Sequence, residues 1–178
     1  MGYFLVMDTS SFVRLFSNLE ILEQWRKKYG EFQIVLSTLI VDELKDNVSK
    51  LIFDSFNDLI TVLEARKKYM SKVEKLASRF GGKQVLSKAD MSVIAIALEL
   101  REKYNRDVII VTEDYDIQNL AEVLSIEYSS IQGKKIKRVL RFYKKCKACG
   151  RVYSGDLDAC PDCGSREFEI VVRKPKKP

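Results

Sequence analysis

The sequence predicts an α/β protein: a doubly wound parallel sheet, then a small C-terminal β module built on a metal. Three observations carry that prediction. Over the first two-thirds of the chain, strand-like apolar runs alternate with helix-period segments, as βαβ units require. Val108–Val111 is an unbroken β-branched run, which suits a strand buried on both faces of a parallel sheet. All four cysteines fall in one pattern: Cys146-x-x-Cys149, ten residues, then Cys160-x-x-Cys163.

In chain order, Tyr3–Met7 reads as the first strand, and Asp8 ends it. Thr9, Ser10 and Ser11 offer caps for a helix with Phe12, Leu15 and Phe16 on one face. A second helix is expected over Leu19–Tyr29, then a strand over Gln33–Leu36. Ser37 or Thr38 caps the helix that follows, and helical signal resumes over Val48–Asn57. Periodicity does not decide whether Leu59–Leu63 is strand or helix. Lys68–Phe80 is amphipathic, and Gly81-Gly82 stops it. From Ser87 to about Tyr104 runs a helix apolar nearly all round, as expected of one packed deep against a sheet. After the Val108 strand come a helix over Ile117–Leu124 and a short strand over Ile126–Ser129.

Near Ile131 the character of the chain changes. Net charge is +6 overall, yet residues 1–130 sum to −3 and residues 131–178 to +9. Lys134–Lys147 holds eight basic residues and no acid. A basic third on an acidic body suggests a polyanionic partner held mainly by that third. Gln132-Gly133 offers a flexible joint, so the sequence leaves the orientation of the two parts open. Lys134, Lys135, Lys137, Arg138, Arg141, Lys144 and Lys145 are the candidate phosphate contacts around Phe142 and Tyr143. Histidine is absent, which excludes a histidine general base, Ser–His and Cys–His nucleophile pairs, and His-containing metal sites. The N-terminus lacks a basic lead-in and meets an acid at position 8, so it reads as a strand and not as a signal peptide. No apolar run approaches the ~20 residues of a membrane span. A cytoplasmic protein without membrane contact is the expectation.

In such a compartment, paired cysteines are metal ligands before they are disulfides. Each pair is followed by glycine, Gly150 and Gly164, which permits the tight turn of a metal knuckle. Four thiolates suit structural Zn²⁺. Iron, held as in an electron-carrying rubredoxin, is the competitor. Strongly basic surroundings, and a preceding fold unrelated to a redox partner, favour zinc.

Four acids stand out by position: Asp8 after the first strand, Glu43 on the helix after the second, Asp90 in the first turn of the Ser87 helix, and Asp114 after the Val108 strand. Asp116 lies just beyond. Singly, each has an ordinary explanation: a turn, an exposed helical charge, a capping box, an Asx turn. Together they mark the carboxyl edge of a parallel sheet, where open α/β folds place their ligands. Uncompensated carboxylates gathered there would repel one another unless a cation sat between them. Oxygen ligands with water suit Mg²⁺ or Mn²⁺, which can activate water against a phosphodiester without histidine. Ser10 and Thr112 could add hydrogen bonds at that edge.

The ordered pieces V-M-D-T-S-S-F, L-I-V-D-E-L, L-S-K-A-D-M-S-V-I-A-I-A-L-E and V-T-E-D-Y-D-I-Q-N resemble the four acidic motifs of PIN-domain ribonucleases. The resemblance implies a PIN-like sheet with a C-terminal β zinc ribbon and assigns the PIN acids to Asp8, Glu43, Asp90 and Asp114. Asp116 falls at a more variable acidic position, and Glu113 stands where aspartate is common. With the basic linker and four-cysteine ribbon, T-E-D-Y-D-I-Q-N-L is similar to the Nin-one-binding (NOB) endonucleases, in their compact archaeal form. That branch implies metal-dependent cleavage of single-stranded precursor small-subunit rRNA near its 3′ end, on the small ribosomal subunit and beside other assembly factors. The expected divisions are a nuclease domain over 1–131, a basic linker and first ribbon strand over 132–143, the ribbon over 144–173, and a disordered tail over 174–178. Two other readings compete: a catalytically silent rRNA-binding assembly factor, and a toxin-type PIN ribonuclease aimed at tRNA. The toxin type is disfavoured because a ribbon is not part of its pattern.

Overall fold

The computed structural model describes residues 2–80, 86–104, 107–133, 135–137, 139–154 and 157–173. The helix stop at Gly81-Gly82, the bases Lys134 and Arg138 and the tail over 174–178 lie outside them. Five parallel strands form the first sheet: β1 (Tyr3–Met7), β2 (Phe32–Ser37), β3 (Ile60–Leu63), β4 (Val108–Val111) and β5 (Glu127–Ser129), in the order β3-β2-β1-β4-β5. The interior strands are the continuously apolar ones. Every residue of β4 is buried, as are Phe4–Met7 of β1 and Ile34–Ser37 of β2, because helices cover both faces of such a sheet. The stretch that periodicity left open is the edge strand β3. It is short and only partly buried, so neither alternation nor a continuous apolar run marks it.

The helices are α1 (Thr9–Phe16), α2 (Leu19–Tyr29), α3 (Thr38–Glu43), α4 (Asn47–Ser55), α5 (Lys67–Phe80), α6 (Lys88–Tyr104) and α7 (Tyr115–Val123). Helix α6 is the keystone. It packs against β1, β2 and β4 and against α3, α5 and α7, which is why Met91–Leu98 are buried without a break. Helix α7 starts two residues before its apolar pattern because Asp114 caps it. No described helix is long and apolar enough to cross a membrane. Ile110 lies at the centre of this core with no exposed surface. Ile110→Ala is expected to lower unfolding free energy by about 2–5 kcal/mol, read from denaturant melts, since the covered site cannot collapse around the void.

The second sheet is antiparallel, with β6 (Arg141–Cys146) between β7 (Val152–Ser154) and β8 (Phe168–Arg173). β7 carries no sequence signal of its own; it forms because the first cysteine pair turns the chain back onto β6. Between the sheets the chain does not hang as a free joint. The Gly133 N–H donates to the Ser130 carbonyl (3.2 Å), the Gln132 N–H to Glu113 just before α7, and the Ile136 and Leu140 N–H groups to Gln118 and Asn119 of α7.

Candidate active site and four-cysteine cluster

Asp8 leaves the end of β1 and caps α1, and it is 6% exposed. Its Oδ1 accepts the Ser11 N–H (2.7 Å) and the Ser10 hydroxyl (3.0 Å). Its Oδ2 accepts the hydroxyl of Thr112, at the end of the neighbouring strand β4 (2.5 Å). Thr112 is fully buried, and its Oγ1 also accepts the N–H of Asp114 (3.0 Å). One hydroxyl thus bonds the Asp8 carboxylate and the backbone N–H of Asp114, which places the two residues at the same edge although they are more than a hundred positions apart. Asp114 is exposed, caps α7, and accepts the Asp116 N–H on its Oδ1 (2.7 Å); Asp116 sits half-buried in the first turn. The Ser11 hydroxyl, behind Asp8, is buried without a hydrogen-bond partner.

Glu43 ends α3, is exposed, and accepts the hydroxyl of Thr9, the residue after Asp8 (2.6 Å). Helix α3 starts from Ser37 at the end of β2, whose Oγ accepts the Ile40 N–H (3.0 Å). Ser37 Oγ also lies 2.6 Å from Ser92 Oγ in the first turns of α6, which ties the start of that helix to the end of β2. Asp90 takes the capping-box role. Its Oδ2 accepts the N–H (3.0 Å) and hydroxyl (2.7 Å) of Ser87, while Ser87 Oγ accepts the Asp90 N–H (3.0 Å).

The ends of β1, β2 and β4 and the starts of α1, α6 and α7 therefore meet at one edge. Among the described residues no Lys or Arg forms a salt bridge with Asp8, Glu43, Asp90 or Asp114. Nor do any three described carboxylates lie within 4.8 Å of one another. The donor set is hard oxygen, with a buried, unpartnered hydroxyl beside it. That donor chemistry suits Mg²⁺ or Mn²⁺, but among the described residues the acids do not converge into one ion's inner shell.

The cysteines are drawn much tighter. All four Sγ atoms lie within 4.8 Å of one another, with Cys146–Cys163 and Cys149–Cys160 each at 3.6 Å. A disulfide needs about 2.05 Å, whereas sulfurs around Zn²⁺ at about 2.3 Å are separated by about 3.8 Å. The cluster fits a tetrahedral metal. Gly150 and Gly164 both take φ of 73° and return their N–H to the carbonyls of Cys146 (2.9 Å) and Cys160 (2.8 Å). Burial alone would raise the Cys160 thiol, but the Tyr153 hydroxyl and the N–H groups of Asp162 and Cys163 bring it down to about 6. The Ser165 N–H works to lower Cys163, yet the neighbouring sulfurs of Cys160 and Cys146 push it to about 12. Four thiolates cannot share this space by themselves; a dication is what would let them all ionise. Tyr153 Oη lies 3.1 Å from Cys160 Sγ and donates its proton to Asp162, which pairs with Arg151.

The described bases of the C-terminal third do not form one face. Lys145 pairs with Glu169 (2.7 Å) on β8, and Lys144 Nζ donates to the Leu157 carbonyl (3.1 Å) and lies over the Phe168 ring. Strand alternation points successive residues of β6 to opposite sides. Lys135, Lys137 and Arg141 are exposed. Sequence reasoning read Thr9 and Ser11 as caps of α1, a role that Asp8 takes, read Glu113 only as a variation within a motif, and passed over Gln118 and Asn119. The last two carried a signal: adjacent amides, fully and almost fully buried, in a helix whose neighbouring buried residues are apolar.

A parallel α/β sheet with acids along its carboxyl edge is compatible with nuclease chemistry, and comparison with known proteins gives the class as ribonuclease. A family model described as PIN domain of ribonuclease matches residues 5–100, which include Asp8, Glu43 and Asp90. The chain is 35% identical to Endoribonuclease Nob1 of Archaeoglobus fulgidus over 77% of its own length and 78% of that protein's. It is 32% identical to Endoribonuclease Nob1 of Pyrococcus abyssi over 76% and 81%. The chain belongs to the PIN-domain ribonucleases, in the Nob1 endoribonuclease group, and is an endoribonuclease. It is also 29% identical to Ribonuclease VapC1 of Thermoplasma acidophilum over 92% of its length and 76% of that protein's. A match of that extent must run into the C-terminal module. Among solved structures, VapBC-1 from nontypeable Haemophilus influenzae shares the fold, with TM-score 0.52 and 16% identity over 74% of this chain and 99% of that one.

Proposed function

We propose that the chain cleaves single-stranded precursor small-subunit rRNA near its 3′ end, working in the cytoplasm on the small ribosomal subunit and beside other assembly factors. The observation that carries this reading is the similarity to Nob1 endoribonucleases along more than three-quarters of the chain, supported by the edge at which Thr112 Oγ1 holds the Asp8 carboxylate and the Asp114 backbone. Asp8, Glu43, Asp90 and Asp114 would hold Mg²⁺ or Mn²⁺, with Asp116 as a further acid. Such an ion supplies a water of lowered pKa and neutralises charge on the phosphodiester.

The chain's own groups do the rest. Ser10, Ser11 and Thr112 hold the Asp8 carboxylate in one rotamer, and Thr9 does the same for Glu43. Cys146, Cys149, Cys160 and Cys163 would hold structural Zn²⁺ and so fold a module that presents cationic side chains. Lys134, Lys135, Lys137, Arg138, Arg141, Lys144 and Lys145 are the proposed phosphate contacts. Lys144 and Lys145 contribute less, because part of their hydrogen-bonding capacity is already used.

The test compares an rRNA 3′-end fragment with a tRNA, each with Mn²⁺ and with EDTA, while salt is raised. The expected result is metal-dependent cutting of the rRNA fragment within a single-stranded stretch, and affinity that falls steeply with salt. Preferential cutting of tRNA would favour the toxin-type reading, for which the VapC1 match speaks. Tight rRNA binding with no metal-dependent cutting would leave an assembly factor that only binds.

A further inference from the structure

We propose that Asn119, with Gln118 and Glu113, holds the C-terminal β module at a set spacing from Asp114, so that the chain measures where along a bound RNA strand it cuts; this rests on the nuclease reading above. The strap between the two sheets is pinned at every fourth residue. The Gln132 N–H donates to Glu113 Oε1 (3.0 Å), the Ile136 N–H to Gln118 Oε1 (2.9 Å), and the Leu140 N–H to Asn119 Oδ1 (2.8 Å). Asn119 Nδ2 also donates to the Leu140 carbonyl (3.0 Å), so one side chain satisfies both backbone groups, as a strand partner would. Glu113 is further fixed by the Ser130 hydroxyl (2.8 Å).

The pins lead to both ends of the proposed machinery. Leu140 immediately precedes β6, the basic strand of the module, and β6 packs against α5. At the other end, Gln118 Nε2 donates to the carbonyl of Thr112, the residue that joins Asp8 to Asp114. Gln118 has no exposed surface and Asn119 is 4% exposed. Buried amides of this kind persist where their partners are in place. A tether without these bonds would let the module sample many spacings. With them, RNA held on β6 meets the acidic edge at one distance.

Two variants of the full chain test this: Asn119→Ala, and a Gly-Gly insertion after Leu140, between the last pin and β6, that leaves α7 untouched. Amide nitrogen relaxation reads the coupling of the two parts, and cleavage mapping on a long single-stranded RNA reads the spacing. The wild type is expected to tumble with one shared correlation time and to cut in a narrow window. Both variants are expected to tumble as two bodies and to lose about tenfold in preference for the main position, with cutting of a short unstructured oligonucleotide unchanged. Independent tumbling in the wild type, or an unchanged window in both variants, would overturn the proposal. A wild type that cuts nothing would remove the nuclease reading and the ruler with it, while tumbling would still report on the clip.

Discussion

Stripping metal from the four-cysteine cluster is expected to unfold residues 141–173 and to leave the five-stranded domain folded. The reason is the near-absence of a core in the module. Among its described residues only Cys146 and Cys160 are buried, while Ile170 and Val172 of β8 remain 41% and 49% exposed. Three short strands with so little apolar burial do not hold together by themselves. Structural zinc in comparable small units supplies about 10–16 kcal/mol near neutral pH, far more than strand pairing and the Arg151–Asp162 pair provide. The first domain has its own continuous core from Phe4 to Ile126 and needs no metal to fold. Chelation followed by amide spectra should collapse the dispersion of residues 141–173 and preserve that of the sheet residues. Cys160→Ala should do the same without a chelator. A module that kept its dispersion after elemental analysis showed the metal gone would contradict the account.

Asp114→Asn is expected to cost at least about a hundredfold in cleavage rate with little loss of stability. The substitution separates the two roles of this residue. As the cap of α7, Asp114 needs only a side-chain oxygen to accept the Asp116 N–H, and asparagine supplies one equally well. As a proposed metal ligand it needs its charge, which asparagine lacks. Asp114→Ala should add a stability loss of about 1 kcal/mol from the missing cap. If Asp114→Asn cut RNA at the wild-type rate, with contaminating nuclease excluded, Asp114 would be a cap and nothing more.

How legible this molecule is from its sequence depends on how far each residue's partner lies from it. The interior strands could be read because burial on both faces leaves an unbroken apolar run, and Val108–Val111 matches the observed strand end to end. Among the edge strands Glu127–Ser129 could be read, but two could not: Ile60–Leu63 is half-solvated, and Val152–Ser154 is three residues placed by a metal knuckle. The four-cysteine cluster was legible because its spacing carries its geometry. The acids could be placed at the carboxyl edge from topology, but the buried Thr112 hydroxyl that bonds the Asp8 carboxylate and the Asp114 N–H could only be suggested. Gln118 and Asn119 were missed because their partners, Ile136 and Leu140, lie 18 and 21 positions away in a stretch that looks like a free linker. The basic run does not show how its side chains are disposed; pairing with β8 and strand alternation turn those of β6 to both sides.

The central claim is that Asp8, Glu43, Asp90 and Asp114 trap a hard divalent ion at the carboxyl edge of the first sheet. Crystals soaked in Mn²⁺, with anomalous scattering measured for that element, test it most directly. The account predicts a manganese peak bonded to at least one of these carboxylates, and its loss in a crystal of the Asp8→Asn variant. Manganese bound only elsewhere, with that edge clear at saturating concentration, would contradict it.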